Sequence, residues 1–216
     1  VSACQKCGEC CRRYAISVLP HEVERQAAFF KLDVKTFIRI YTQLLVQLVP
    51  FASGNHPLSI SASMIPKPLW EKLKENGFDA AYAMILPMVG FKKKEYCVFF
   101  DPKTFGCTMH AVKPMQCSLF PFTSLKENED YTKAYDFCEL SRIASPTKYT
   151  TAQQGLQREN MRKYFDAVAK NELNNVWKDL PTGGLVLFNG KAIGNITLNG
   201  LNEWLDWARN KEPASA

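Results

Sequence analysis

Eight cysteines fall into two groups in this chain of 216 residues. One group lies within the segment CQKCGECC, and the other begins nearly ninety residues further along the chain. Thiolate sulfur is a soft ligand that selects zinc, iron–sulfur clusters or copper(I) over hard cations. The pattern therefore predicts a metal site whose ligands are Cys4, Cys7, Cys10, Cys11, Cys97, Cys107, Cys117 and Cys138.

The composition excludes the usual reason for a cysteine-rich chain. Hydrophobic residues make up 46% of the sequence and aromatic residues 12%, so the chain can bury a core without disulfide support. The net charge of +6 is small, and the basic residues are scattered, which argues against a nucleic-acid partner. The one short basic run, Lys92 to Lys94, is interpreted as a solvated turn.

The expected location is the cytoplasm. No signal-peptide pattern precedes Cys4, and the longest apolar stretch, around Leu44 to Ala52, is too short to span a bilayer. In a reducing compartment, cysteines at this density indicate metal or redox ligands rather than disulfides.

Helices are predicted for the first part of the chain after the cysteine cluster. One covers Pro20 to Phe30. A second begins at Asp33 as N-cap and ends at Pro50. Its apolar residues recur at helical spacing: Val34, Phe37, Ile38, Tyr41, Leu44, Leu45 and Leu48. Residues 53–90 contain several prolines and are expected to be irregular, with one short helix over 69–75.

The second cysteine group is predicted to lie on a hairpin and a short helix. In KEYCVFFDPKTFGCTMH, two apolar runs flank a turn, which places Cys97 and Cys107 near the two ends of a hairpin. The turn at Lys113–Pro114 begins a short helix that carries Cys117.

The last third of the chain is predicted to be an extension without chemistry of its own. It contains a helix over 150–180, a hairpin turning at Asn189–Gly190, and an amphipathic helix that includes Leu198, Leu201, Trp204 and Leu205. Packing and partner docking are its expected roles. The predicted fold is therefore α+β and mainly helical, with helices supporting the cysteine hairpin and an N-terminal metal-binding loop. It divides into a metal-binding domain, 1–149, and a C-terminal helix–hairpin–helix extension, 150–216.

The cysteine spacing favours iron–sulfur over zinc. Cys4, Cys7 and Cys10 have the CxxCxxC spacing that opens bacterial ferredoxin motifs, whereas zinc sites more often pair one CxxC with a second, which this sequence does not have. Neighbouring Cys10 and Cys11 point in different directions, which predicts two centres, or one centre beside a spare thiol. We therefore expect one or two 4Fe–4S clusters, with zinc as the alternative.

Residues around the cluster have weaker assignments. Gly8 would let the backbone approach the metal, and Arg12 and Arg13 are either counter-charges to the thiolates or solvated surface. Histidine can replace cysteine as a ligand, and among the three histidines His110 lies closest to the cysteines, whereas His21 and His56 are interpreted as surface or helix-end residues. No catalytic residue can be named, because the sequence shows no Ser–His–Asp or Cys–His arrangement and no glycine-rich phosphate loop. Whether the protein is an enzyme stays open.

Three blocks in order, CQKCGECC, YCVFFDPKTFGCTMHAVKPMQCSLFPF and DFCEL, resemble the YkgJ-type CxxCxxCC family of zinc- or iron-chelating proteins. The likeness covers residues 1–142, and all eight family cysteines have counterparts. This chain has Lys113 and Ser118 where the family commonly has arginine, and His110 where it has tyrosine. Residues 150–216 lie outside the resemblance.

Three functions follow as hypotheses. The first is an iron–sulfur protein for electron transfer or redox support, docking to a larger enzyme as its protein partner. The second is a zinc-stabilised scaffold or interaction protein. The third comes from the resemblance: some flagellin lysine methylases share the cysteine motif, which leaves a cluster-dependent methyltransferase or maturation factor as the weakest hypothesis.

Overall fold

The structure is a computed structural model. It describes residues 8–54, 56, 58–121, 133, 135–138, 155, 159, 162–163, 166, 180 and 183–210. Helices in the continuous parts of these ranges are α1 Glu9–Arg13, α2 Pro20–Phe29, α3 Val34–Tyr41, α4 Lys67–Glu75, α5 Met115–Leu119 and α6 Leu198–Arg209. Strands are β1 Ser17–Val18, β2 Thr42–Phe51, β3 Ser59–Ser61, β4 Tyr82–Phe91, β5 Phe100–Asp101, β6 Gly106–Cys107, β7 Gly184–Phe188 and β8 Lys191–Ile196.

A six-stranded mixed sheet is the centre of the described fold. The strand order is β1-β4-β2-β7-β8, with β3 also paired to β4. Strands β2 and β7 run parallel, and the other pairs of this sheet are antiparallel. The prediction of a mainly helical fold is therefore wrong: two ten-residue strands, β2 and β4, pair along their whole length where a helix and an irregular segment were expected.

The predicted second helix is correct only in its first half. Asp33 caps α3 as predicted, because its carboxylate accepts the Thr36 N–H at 2.9 Å. The helix ends at Tyr41, and the chain enters β2 at Thr42. Three consecutive residues of β2, from Leu44 to Val46, are fully buried, as expected of a central strand covered on both faces. The leucines at positions 44, 45 and 48 fit helical spacing as well, which explains the error.

The irregular conformation predicted for residues 53–90 is wrong at its end, where β4 begins at Tyr82. Pro87 lies inside this strand, opposite Val46 of β2. A proline lacks the N–H that a second neighbouring strand would need. Pro87 is tolerated because β3 pairs with β4 before this position and β1 pairs with it after. The short helix expected over 69–75 is confirmed as α4.

Several smaller elements are confirmed. Helix α2 covers the predicted segment, and α6 begins at Leu198. Strands β7 and β8 turn at Asn189–Gly190, where φ is 49° and 75°, as a two-residue hairpin of primed type requires. The hairpin extends the sheet through β7, which pairs with β2.

Two predictions for the last third of the chain cannot be compared with the structure. The helix over 150–180 lies almost wholly outside the described residues, and so does the boundary between residues 149 and 150. The division into two domains stays a prediction. Across the part of the chain that the structure describes, no helix combines the length and the hydropathy needed to cross a bilayer.

Phe99 anchors the cysteine hairpin in the core. Its side chain is 2% exposed and lies two residues after Cys97. The ring packs edge-on against Phe91, with centroids 4.7 Å apart, and against Tyr41 at 5.0 Å and Phe30 at 5.4 Å. Aromatic pairs at these distances add to the free energy of burial. The hairpin is therefore held in place by the contacts of Phe99 with residues at the end of α2, in α3 and in β4, as well as by the hydrogen bonds between β5 and β6.

We expect Phe99→Ala to lower the free energy of unfolding by about 3–5 kcal/mol, because it removes a buried aromatic ring and leaves a cavity. The measurement is urea unfolding followed by circular dichroism. Phe105→Ala is the matched control, since Phe105 lies on the same hairpin but is 59% exposed, and its loss should change little. Equal effects of the two substitutions would contradict the anchoring role.

Candidate metal centre

The second cysteine group and half of the first lie in the described residues, whereas Cys4 and Cys7 lie outside them. None of the six described cysteines forms a disulfide with another. Each has a defined place in the fold: Cys10 and Cys11 in α1, Cys97 before β5, Cys107 in β6, Cys117 in α5, and Cys138 after the turn 135–137.

Backbone hydrogen bonds join the N-terminal segment to the hairpin. The Cys97 N–H donates to the Cys11 carbonyl at 3.0 Å. The Lys93 ammonium donates to the carbonyls of Arg12 and Tyr14, the second at 3.3 Å. These bonds bring two distant parts of the sequence, one from each cysteine group, into direct contact.

Four thiols from four different segments converge. The Cys10 thiol is hydrogen-bonded to Cys11 and interacts electrostatically with Cys97 and Cys117. Cys107 interacts with the same two downstream thiols, Cys97 and Cys117. The structure thus brings Cys10, Cys97, Cys107 and Cys117 together, with Cys11 bonded to the first of them.

Burial and mutual proximity keep these thiols protonated. The hydrogen bond with Cys11, followed by burial, raises the pKa of Cys10 far above its usual range. Burial raises the pKa of Cys97 to about 11, and burial with three neighbouring thiols raises the pKa of Cys117 well above its usual range. A bound cation reverses this, since metal ligation deprotonates the thiol and releases protons.

The donor chemistry fits a soft metal or cluster. Converging buried thiols are unfavourable as thiolates unless a cation offsets their charge, and sulfur donors select zinc or iron–sulfur centres. Among the described side chains, no group of three or more Cys, His, Asp or Glu is arranged as a ready ligand set. The residues that would hold the metal or cluster are the four converging cysteines, together with Cys4 and Cys7, which lie outside the described residues.

Helix α5, which carries Cys117, is held by hydrogen bonds at the two residues that precede Cys117. The carboxylate of Glu22, which is 3% exposed, accepts the N–H of Met115 at 2.7 Å and that of Leu19 at 2.9 Å. The side-chain carbonyl of Gln116 accepts from the Ser17 N–H at 2.7 Å and from its hydroxyl at 2.9 Å. These bonds determine where the Cys117 thiol lies relative to the sheet.

Aromatic packing places the segment of Cys138 beside the same site. The rings of Tyr135 and Phe137 pack against Tyr14, with centroid distances of 6.3 and 6.2 Å, and against Phe120, at 5.1 and 6.1 Å. The Cys138 N–H donates to the Tyr135 carbonyl at 2.9 Å.

Several weaker predictions can now be compared with the geometry. Arg12 and Arg13 form ion pairs with Glu9 at 2.8 and 3.0 Å and are solvent-exposed, which agrees with surface residues. His110 is exposed. Gly8 has φ of 77°, and a Cβ there would lie against the Phe100 ring, so this glycine lets α1 approach the hairpin.

The basic run Lys92–Lys94 is not a solvated turn, as its first two residues are partly buried. The Lys92 ammonium caps the end of α3 by donating to the carbonyls of Arg39 and Ile40, at 2.7 and 2.9 Å. Lys93 interacts favourably with Cys97 and Cys11, and burial is the main cause that lowers its pKa. Lys93 therefore has the counter-charge position that the sequence analysis considered for the arginines.

Sequence reasoning missed the residues that position the ligands. For Glu22 the sequence contains one indication: it is the third residue of a helix that begins with proline, and a carboxylate at this position commonly accepts the N–H of the residue before the helix. Nothing in the sequence showed that the same carboxylate also reaches Met115. Lys93, Gln116 and Phe99 gave no signal, because their roles depend on contacts between distant segments.

A comparison with protein families identifies the class of this chain. Residues 3–139 match the CxxCxxCC family, described as a "putative zinc- or iron-chelating domain". The match covers more than half of the chain, so the chain belongs to this family and is a metal-binding cysteine-cluster protein. No curated protein and no solved structure gives a significant match.

We expect Glu22→Ala to cost about 1–3 kcal/mol of stability, because the N–H groups of Leu19 and Met115, both partly buried, lose their acceptor. The same change should weaken metal retention, since α5 and Cys117 lose an anchor. Thermal unfolding and metal content after dialysis are the measurements. Glu24→Ala, on the exposed side of the same helix, is the control; if both variants retain metal like the parent, Glu22 does not position the site.

Proposed function

We propose that the protein carries one or two iron–sulfur clusters, of the 4Fe–4S type, and serves electron transfer or redox support of a larger enzyme. The ligands are Cys4, Cys7, Cys10, Cys11, Cys97, Cys107, Cys117 and Cys138. The observation that carries the proposal is the convergence of Cys10, Cys97, Cys107 and Cys117 from four separate segments: the Cys97 N–H bonds to the carbonyl beside Cys10, and Cys10 and Cys117 line one cavity.

Donor type and spacing support iron–sulfur chemistry. Cysteine thiolates hold 4Fe–4S clusters, and the CxxCxxC run at the N-terminus has the spacing of such ligands. A bound cluster would supply one-electron transfer at a potential set by charge, hydrogen bonds and exposure. The chain's own contributions are the counter-charge of Lys93 and the burial of the Cys97 and Cys117 thiols.

The neighbouring Cys10 and Cys11 support two centres in this proposal. Cys10 interacts with the downstream thiols Cys97 and Cys117, and Cys11 interacts with the ammonium of Lys93. One centre uses Cys10 with the downstream cysteines, and Cys11 belongs to a second centre or is a spare thiol.

The protein partner docks at the cysteine hairpin. Val98 is 44% exposed and Phe105 59% exposed, and they flank Cys97 and Cys107 along this hairpin. Exposed apolar side chains beside an electron-transfer centre suit a small, transient interface. The partner is a redox enzyme, and the setting is the cytoplasm, where thiols stay reduced and available for metal.

Anaerobic isolation should give a brown protein that contains iron and acid-labile sulfide, because thiolate-bound clusters absorb visible light. Cys117→Ser should lower the iron content by removing a converging ligand. Ser118→Ala is the matched control, since Ser118 is exposed and adjacent to that ligand. A colourless protein with stoichiometric zinc and no sulfide would overturn the iron–sulfur proposal and leave the metal site intact.

Zinc is the second candidate. It is favoured because the converging thiols come from separate short elements, which a structural metal ion would connect. A zinc ion held by the converging thiols would cross-link α1 and α5, which have five residues each, and a hairpin whose strands have two residues each. Structural zinc sites contribute about 10 kcal/mol or more to folding. In this case the protein is a scaffold or interaction module rather than an electron carrier.

Chelation should separate the two candidates. If zinc is structural, removing it anaerobically should unfold α1, the hairpin and α5 and leave the six-stranded sheet, giving a partial loss of circular dichroism. Readdition of zinc should restore the signal. Metal removal with no change in circular dichroism would exclude a structural role for zinc.

A further inference from the structure

A cavity lies directly beside two of the converging thiols. It has a volume of about 230 Å³, opens to solvent on one side, and has Cys10 and Cys117 in its lining. This volume is below the roughly 300–1,000 Å³ of pockets that hold drug-sized ligands, so it suits a smaller molecule. The inference drawn from this cavity rests on the metal centre proposed above.

Three aromatic rings line one wall of the cavity: Tyr14, Phe120 and Tyr135. Their centroids are 5.1 to 6.3 Å apart, so the three rings are in contact and form one continuous aromatic surface on this side of the cavity. Aromatic surfaces in contact offer stacking and edge contacts to a further planar ring.

The turn at Asn189–Gly190 contributes to the lining from the far end of the chain. A Cβ at Gly190 would lie 3.4 Å from the Tyr14 ring, so this turn sits directly against the aromatic wall. Both residues lie beyond residues 3–139, the segment matched by the family. The part of the chain outside the family match therefore shapes the space beside the proposed centre.

The charges around the cavity favour an uncharged ligand. Among the described residues, the cavity lining contains no Lys, Arg, His, Asp or Glu side chain. Metal-bound Cys10 and Cys117 would carry negative charge, which disfavours an anion. The Arg13 guanidinium lies 4.3 Å over Phe137, whose ring stacks on Phe120, but it is paired with Glu9 at 3.0 Å. With no carboxylate in the described lining, the cavity also offers a cation no ion-pair partner of the usual kind.

Polar groups in the lining provide hydrogen bonds for such a ligand. The side-chain carbonyl of Gln116 is already used by Ser17, so the NH₂ group of this amide is its remaining donor. The Asn189 side chain adds an amide with both donor and acceptor. A few polar groups in a mostly apolar lining are typical of a small-molecule site.

We propose that this cavity binds a small, neutral, planar aromatic molecule with an amide-like polar group, stacked on Tyr14, Phe120 and Tyr135 beside the Cys10 and Cys117 side of the metal centre. The ring packs on the aromatic wall, and its polar group bonds to Gln116 and Asn189.

The test uses the full chain with its metal, isolated anaerobically and titrated with benzamide by calorimetry. Three probes of similar size separate the features of the proposal: benzoate is an anion, benzylamine is a cation, and cyclohexanecarboxamide is neutral but not planar. Benzamide should bind with one-to-one stoichiometry and about tenfold more tightly than each of the others. Tighter binding of benzylamine would overturn the neutral class, and absence of benzamide binding would overturn the site.

Variants locate the bound probe. Tyr14→Leu should weaken benzamide binding about tenfold by removing a wall ring. Asn189→Gly keeps the turn, since glycine tolerates its positive φ, and should weaken binding through loss of the amide. Phe29→Leu is the control, because Phe29 is 46% exposed and lies outside the cavity lining. If Tyr14→Leu does not fold, Asn189→Gly is the deciding variant. Unchanged benzamide binding to Asn189→Gly would contradict the proposed position of the ligand in this cavity.

Metal analysis of the same sample separates this inference from the proposed function. Full metal content without benzamide binding overturns the inference and leaves the metal centre standing. Absence of metal overturns the proposed function, and a titration of that sample then shows whether the cavity still binds benzamide. In an iron-containing sample benzamide should also shift the visible thiolate-to-metal absorption, and binding to that sample without any shift would contradict a position beside the centre.

Discussion

The buried ring of Phe99 is the contact on which the site depends most. It inserts between α2, α3 and β4, and so fixes a hairpin whose own ladder consists of two paired residues on each strand. Cys97 and Cys107 lie on either side of this anchor. Once the hairpin is placed, the Cys97 N–H can bond to Cys11 and the Lys93 ammonium to Arg12 and Tyr14. The N-terminal cysteines are thus brought to the hairpin by a core contact that contains no cysteine.

The assembled thiols are costly to ionise where they lie. Burial opposes the thiolate forms of Cys97 and Cys117, and each thiol disfavours charge on the others. Lys93 supplies one positive charge nearby, which does not balance several thiolates. A cation bound by the group would remove this penalty and cross-link three short elements. The family to which the chain belongs, described as zinc- or iron-chelating, agrees with this electrostatic requirement.

The sequence predicted local features better than the arrangement of the sheet. Asp33 as N-cap, the Asn189–Gly190 turn and the helix after Pro114 each depend on neighbouring residues, and all three are confirmed. The long second helix was wrong because consecutive buried leucines fit helical spacing and a central strand equally well. Strand β4 was missed because Pro87 is acceptable only where a neighbouring strand is absent, which is a fact of topology. The cysteine positions were visible in the sequence, whereas Glu22, Lys93 and Phe99 act through contacts between distant segments.

The central claim is that sulfur from the converging cysteines binds a metal. X-ray absorption spectroscopy at the metal edge of anaerobically isolated protein tests it most directly. If these cysteines are the ligands, the first shell is sulfur at about 2.3 Å, with additional iron scattering if the centre is a cluster. A first shell made of nitrogen and oxygen would show that the converging thiols are not the ligands.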